Sequence, residues 1–143
     1  NENSELESLR REIFYRGDYD AALRKLDNEI SSNVSQADKD KIRSVIMGLV
    51  MNEIVNAYVA GLNHMNTTQY EAARANWYTI TRMHGLFADK DMKTALPDHP
   101  RLGGQTVTVG QALEMAEKGV DSCNAILEGR PDPNAPAKPA KKA

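Results

Sequence analysis

Residues 42–62 read IRSVIMGLVMNEIVNAYVAGL and contain the longest apolar stretch of the chain. As a helix, this stretch is apolar over most of its circumference, with a narrow polar stripe through Asn52, Asn56 and Asn63. A helix of that kind must pack on several sides. We therefore predict a long central helix at about 35–65. Because Asn52, Glu53 and Asn56 would lie in the middle of a bilayer, we interpret it as a core helix and not as a transmembrane segment.

Two glycines interrupt this helix, at Gly48 and Gly61. Each weakens helical propensity by roughly 1 kcal/mol relative to alanine. Such a cost is easiest to understand where another backbone comes close, so we expect close packing at both positions.

The rest of the chain is also helical in pattern. Aromatic residues make up only 6% of the 143 residues, runs of strand-forming residues are almost absent, and helix formers recur at helical spacing. We predict an all-α fold with helices at about 4–16, 18–31, 35–65, 68–87 and 108–128, packed as antiparallel hairpins around the central helix. Capping-box patterns mark three of the starts: Ser4-x-x-Glu7, Thr68-x-x-Glu71 and Thr108-x-x-Gln111.

The length favours a single helical domain over residues 1–129. Within it, residues 88–107 are rich in turn formers and are predicted to be a long irregular loop or to hold a short helix near 90–95. Residues 130–143, RPDPNAPAKPAKKA, cannot form an apolar face and are predicted to be an extended, polyproline-like tail.

The corner between the first two helices has a distinct composition, Gly17-Asp18-Tyr19, followed by Ala22 and Leu26. Glycine can take the positive φ that ends a helix, and aspartate can cap the next one. This corner resembles the tetratricopeptide repeat. A second stretch, through Ala57, Ala60, Gly61, Tyr70, Ala73 and Trp77, is similar, and together the two cover about half of the chain. The resemblance implies packed helical hairpins, a core position for Trp77 and a groove that binds a peptide or protein.

Charge argues against two classes of partner. The net charge of −2 and the pI near 5.9 offer no concentrated positive field for nucleic acid or for an anionic membrane. Residues 1–30 carry eight acids against five bases, whereas residues 131–143 carry one acid against three lysines. Asn1 at the start is consistent with an export signal removed before it, or with trimming, so the sequence does not define the compartment. It does not define the oligomeric state either.

Little in the sequence points to chemistry. His64, His84 and His99 have no second His or Cys at metal-site spacing, and the single cysteine, Cys123, is predicted to be a buried core residue. The methionines Met47, Met51, Met65, Met83 and Met115 favour core packing, with a partner surface as the second interpretation. Glu53 is the one carboxylate suited to a hydrolase, the function we rank last.

We therefore predict a non-enzymatic protein-interaction module or accessory subunit, with no cofactor and no metal. The alternative is a helical bundle that binds haem or a metal through Met and His side chains. The predicted contacts with a protein partner are aromatic residues and tail lysines: Tyr19, Tyr70, Tyr78, Lys138, Lys141 and Lys142.

Overall fold

A computed structural model describes residues 2–28 and 34–135 of the chain. The protein is all-α, as predicted, with a long central helix among five α-helices in the described part. The helices are α1 (Glu2–Phe14), α2 (Tyr19–Asn28), α3 (Gln36–Asn66), α4 (Tyr70–Thr81) and α5 (Val109–Leu127). Three short 3₁₀ helices, His84–Leu86, Asp89–Lys93 and Pro100–Leu102, lie between α4 and α5.

The chain forms two compact units, residues 1–52 and 53–143. In the first unit, the corner between α1 and α2 has the predicted geometry. Gly17 takes a φ of 63°, and the Asp18 carboxylate accepts a 2.9 Å hydrogen bond from the amide of Ala21. Glycine pays little for the left-handed conformation, and the aspartate caps α2. α1 and α2 are therefore separate helices joined by a tight turn.

A buried acid ties α1 to α2. Glu12 is only 6% exposed, and the Lys25 ammonium lies 3.0 Å from its carboxylate and 2.9 Å from the Ser8 hydroxyl. Leu9, Ala22 and Leu26 of the same two helices are buried. The ion pair is therefore a structural link inside the first unit. The Glu12 carboxylate is shielded from water, and the Lys25 ammonium takes the place of the lost solvent.

Trp77 is the centre of the second unit. Its side chain is 1% exposed and lies between two helical glycines, one on α3 and one on α5. A Cβ at Gly61 would come within 2.7 Å of the indole ring, and one at Gly119 would come equally close to Cε2. The predicted core position of Trp77 is confirmed, and so is close packing at Gly61, although the group that comes close is the Trp77 ring and not another backbone. At Gly48 the prediction is wrong, because a Cβ there would meet no atom of residues 2–28 or 34–135 within 4 Å.

Both boundaries of α4 differ from prediction. α4 begins at Tyr70 and not at 68, because Thr68 has a positive φ and cannot act as the cap, so the proposed Thr68–Glu71 capping box does not form. α4 also ends at Thr81, and the chain continues as a 3₁₀ turn that contains Gly85. The capping box at Thr108 and Gln111 forms as predicted, with bonds of 3.1 and 2.9 Å.

The predicted loop at 88–107 holds the short helix given as one of its two interpretations, as the 3₁₀ helix Asp89–Lys93. Two backbone bonds then join the loop's ends: the amide of Leu96 donates to the carbonyl of Val107 at 2.8 Å, and that of Val109 to Thr94 at 2.9 Å. The loop is therefore closed against the start of α5, which places residues 105–107 beside that helix.

One helix among the described residues is long and apolar enough to cross a bilayer by length and composition. It is α3, and 39% of its most apolar 18-residue segment is buried inside the protein. A core helix of a water-soluble protein meets the same criterion, so the observation is weak evidence for a membrane span.

Candidate functional site

The predicted contact residues lie in different parts of the molecule. Tyr70 is half-buried at the start of α4, and Tyr78 is 42% exposed two turns later on the same helix. Tyr19 begins α2 and belongs to the first unit. Lys138, Lys141 and Lys142 lie outside the described residues. Tyr70 lines a cavity of the second unit.

Tyr70 lies in a shallow groove of about 500 Å³ at the turn between α3 and α4, here called the Tyr70 groove. The groove is bounded by the last turn of α3, the first turn of α4 and the end of α5. Its residues are His64, Thr68, Gln69, Tyr70, Glu71, Ala72 and Leu127. Leu127 is 40% exposed there, an apolar side chain left in contact with water.

The turn that forms the groove is strained at Thr68. The amide of Gln69 bonds the carbonyl of His64 at 2.8 Å, and the amide of Thr68 bonds that of Met65 at 3.2 Å. This pattern is a Schellman motif, whose left-handed position usually holds glycine. Here Thr68 holds it with a φ of 58°. A β-branched residue in that conformation is an outlier, and outliers of this kind concentrate at functional sites.

Side chains fix the groove's polar edge. His64 Nδ1 lies 2.7 Å from Gln69 Oε1, and the Thr67 hydroxyl donates to the same oxygen at 3.2 Å. Because Gln69 is held by these bonds, it does not cap α4, although it stands at the N-cap position. With Nδ1 donating to the amide oxygen, the neutral imidazole has Nε2 as its acceptor.

Each of the other two histidines has a polar partner outside the Tyr70 groove. His84 Nδ1 lies 3.6 Å from a carboxylate oxygen of Glu117, and His99 Nδ1 accepts a hydrogen bond from the amide of Arg101 at 3.1 Å. Within residues 2–28 and 34–135, no group of three or more His, Cys, Asp or Glu side chains could hold a metal ion.

A thiol and a thioether lie in contact in the second unit. The Cys123 thiol lies 3.4 Å from the thioether of Met65, and Cys123 is fully buried, as predicted. Burial raises the pKa of the Cys123 thiol, Asp132 raises it further and Arg74 opposes both. A protonated, buried thiol is a poor nucleophile, so this residue packs the core. Met83 is also buried, whereas Met115 is 38% exposed.

A second cavity, of about 320 Å³, was not foreseen from the sequence. It is here called the Tyr58 pocket. It is lined by Tyr58 of α3, by residues 105–107, and by Gln111, Glu114, Met115 and Lys118 of α5. Tyr58 packs edge-to-face against Trp77, with ring centroids 6.2 Å apart, and burial raises the pKa of its hydroxyl. The sequence signal was present, since Tyr58 is the one aromatic residue in the apolar run of α3.

The beginning of the predicted tail is bound to α5. Residues 130–135, here called the tail turn, follow the Schellman ending of α5 at Gly129. The buried Ser122 hydroxyl donates to the Asp132 carboxylate at 2.6 Å, and the Asn134 amide donates to the carbonyl of Lys118 at 2.9 Å. The chain therefore turns back along α5 toward its start.

Comparisons of the chain with family models, with curated proteins and with solved structures gave no significant match.

Proposed function

We propose that this chain is a non-enzymatic protein-interaction module, serving as an accessory subunit of a larger assembly, and that its partner binds in the Tyr70 groove. The observation that carries the proposal is the pairing of a half-buried tyrosine with an exposed leucine in one groove of about 500 Å³. Aromatic and aliphatic side chains in a concave surface are the usual anchors of protein interfaces.

On binding, the side chains of Leu127 and Tyr70 would lose contact with water, which favours association. Tyrosine supplies a large apolar contact at low entropic cost and keeps a hydroxyl for a hydrogen bond. The strained turn at Thr68 supports the same interpretation, because a costly conformation persists where the surrounding structure requires it.

The polar edge indicates the partner's chemistry. Glu71 is exposed beside the groove, and His64 Nε2 is an acceptor when the ring is neutral. A partner segment that fits has an apolar side chain for the space between Tyr70 and Leu127, with a basic residue next to it for Glu71. The charge pair would set orientation and association rate more than affinity.

Site-specific photocrosslinking tests the proposal. A photoreactive phenylalanine analogue at position 127 of the purified full chain is exposed to extract from the native source, and the crosslinked protein is identified and purified. Its affinity is then measured against Tyr70→Ala and against Tyr78→Ala as the matched control. Tyr78 lies on the same helix and is exposed, but lies outside the groove.

We expect Tyr70→Ala to weaken binding at least about ten-fold, as for an interface anchor, and Tyr78→Ala to leave it within about two-fold. Equal affinity of the Tyr70→Ala variant and the unaltered chain would refute the groove as the docking site. Equal loss in both variants, with unchanged circular dichroism, would move the interface to the outer face of α4.

A further inference from the structure

The Tyr58 pocket is separate from the Tyr70 groove and needs an occupant of a different chemistry. Tyr58 and Met115 give it an aromatic and a thioether surface, and Glu114 adds an acid at the rim. Met115 is 38% exposed on an otherwise polar face of α5. The other lining residues, Gln105, Thr106, Val107, Gln111 and Lys118, are mostly polar. Proline-rich segments bind to exposed aromatic side chains, against which the polyproline II helix packs its rings, and Tyr58 is the one aromatic side chain in this pocket.

The tail turn brings the chain to the edge of this pocket. Asp132 is bonded to Ser122, and Asn134 is bonded both to Ser122 and, one helical turn earlier, to the carbonyl of Lys118. The backbone therefore runs from Ser122 toward Lys118, which itself lines the pocket. The chain that follows Ala135 begins beside the site.

Length permits the next residues to cross the pocket. Residues 136–143 read PAKPAKKA, with prolines three apart at 136 and 139. Eight residues in polyproline II conformation span about 25 Å. From Lys118 to Gln111, the pocket extends about 10 Å along α5 at the rise of an α-helix. The segment is long enough with several residues to spare.

Charge also matches. Glu114, Glu117 and Asp121 are exposed at successive turns of α5. Lys118 offsets Glu114 at 3.1 Å, and His84 lies near Glu117. This helix face is therefore acidic overall, whereas residues 136–143 carry three lysines and no acid. Opposite charges on a short tether raise the local concentration of the segment at this face.

We infer that residues 136–143 of this chain bind in cis across the Tyr58 pocket, with a proline against Tyr58 and Met115 and the lysines along the acidic face of α5. The pocket is thus a site for proline- and lysine-rich segments, and the chain carries its own occupant. This inference is independent of the Tyr70 groove.

Oxidation of Met115 in the full chain tests it. The protein is treated with dilute hydrogen peroxide, and the rate of sulfoxide formation at Met115 is followed by peptide mass spectrometry, with Met47 in the first unit as the internal reference. The rate is compared with that of Pro136→Gly/Pro139→Gly and of Lys138→Gln/Lys141→Gln/Lys142→Gln. Because these substitutions lie beyond the tail turn, the fold that surrounds the pocket is left unaltered.

If the segment covers the pocket, Met115 in both variants oxidises at least about five-fold faster, while Met47 is unchanged. High salt should raise the rate in the unaltered chain, since it screens the lysines. Equal rates in all three proteins would overturn the inference. Protection that grows with protein concentration would overturn the cis assignment, because the segment would then come from a second copy.

Discussion

Gly48 and Gly61 lie on the same helix, yet their surroundings are opposite. At Gly61 an added Cβ would lie 2.7 Å from the Trp77 ring, whereas at Gly48 it would meet nothing within 4 Å among the residues that the structure describes. Both residues weaken helical propensity equally. Only at Gly61 does close packing offset that cost. The difference teaches that a glycine in a helix marks a possible contact, and that the partner side chain decides whether the contact exists.

The largest test of this comparison removes the partner side chain. Trp77→Ala should lower the free energy of unfolding by roughly 3–5 kcal/mol, because it leaves a cavity between α3 and α5. Urea denaturation followed by far-UV circular dichroism measures the change. The neighbouring Tyr78→Ala is the control and should stay within about 0.5 kcal/mol. Similar losses in both variants would contradict the central position of Trp77.

A second test fills the space instead. Gly119→Ala places a methyl group about 2.7 Å from Cε2 of Trp77, so overpacking should cost roughly 1–3 kcal/mol despite the gain in helix propensity. In a Trp77→Phe background the same substitution should cost less, since the smaller ring leaves room. A double-mutant cycle measures this coupling, and a coupling energy near zero would show that Gly119 and Trp77 do not interact.

Thr68 presents the converse case, a position that lacks the glycine its backbone favours. Thr68→Gly relieves a left-handed conformation that costs about 1–2 kcal/mol in other residues, and a smaller entropic cost opposes it. We expect a net gain near 1 kcal/mol in the free energy of unfolding, measured by urea denaturation. Gly129→Thr, in the same motif at the end of α5, should give a loss of similar size. A destabilised Thr68→Gly variant would mean that the threonine side chain is needed at the turn.

Gly48→Ala should have the smallest effect and the opposite sign to Gly119→Ala. Alanine at this open helical position should raise the free energy of unfolding by roughly 0.5–1 kcal/mol. The midpoint of thermal unfolding is a sufficient measurement. If the variant is instead destabilised in a concentration-dependent way, a second chain approaches α3 at Gly48, and the comparison with Gly61 no longer holds.

Local interactions explain which features were predicted from the sequence. The caps at Asp18 and Thr108 involve residues three positions apart, so the pattern alone specifies the bonds. The identical argument failed at Thr68, because the ending of α3 imposed a left-handed backbone before α4 could begin. Where two motifs compete for one residue, the local pattern cannot decide between them.

The candidate sites were less accessible to sequence reasoning. Tyr70 was predicted as one of the aromatic contact residues of the fourth helix, but its neighbour Leu127 comes from α5 and was not predicted. The Tyr58 pocket combines α3, residues 105–107 and α5, and the pairing of Leu96 with Val107 holds one of these three segments. Such a site depends on contacts between residues that are distant in sequence, and helical periodicity does not predict those contacts.

By itself, the sequence determined the all-α class, the long central helix, the corner at Gly17 and the buried position of Cys123, while the resemblance to the tetratricopeptide repeat implied the buried position of Trp77. Helical periodicity, caps and apolar content are properties of short segments, so they can be read without a fold. Tertiary structure alone decided which glycine is packed, where α4 begins, and that the tail turn lies along α5. Each of those outcomes depends on a second segment that arrives from elsewhere in the chain and either fills a space or leaves it open.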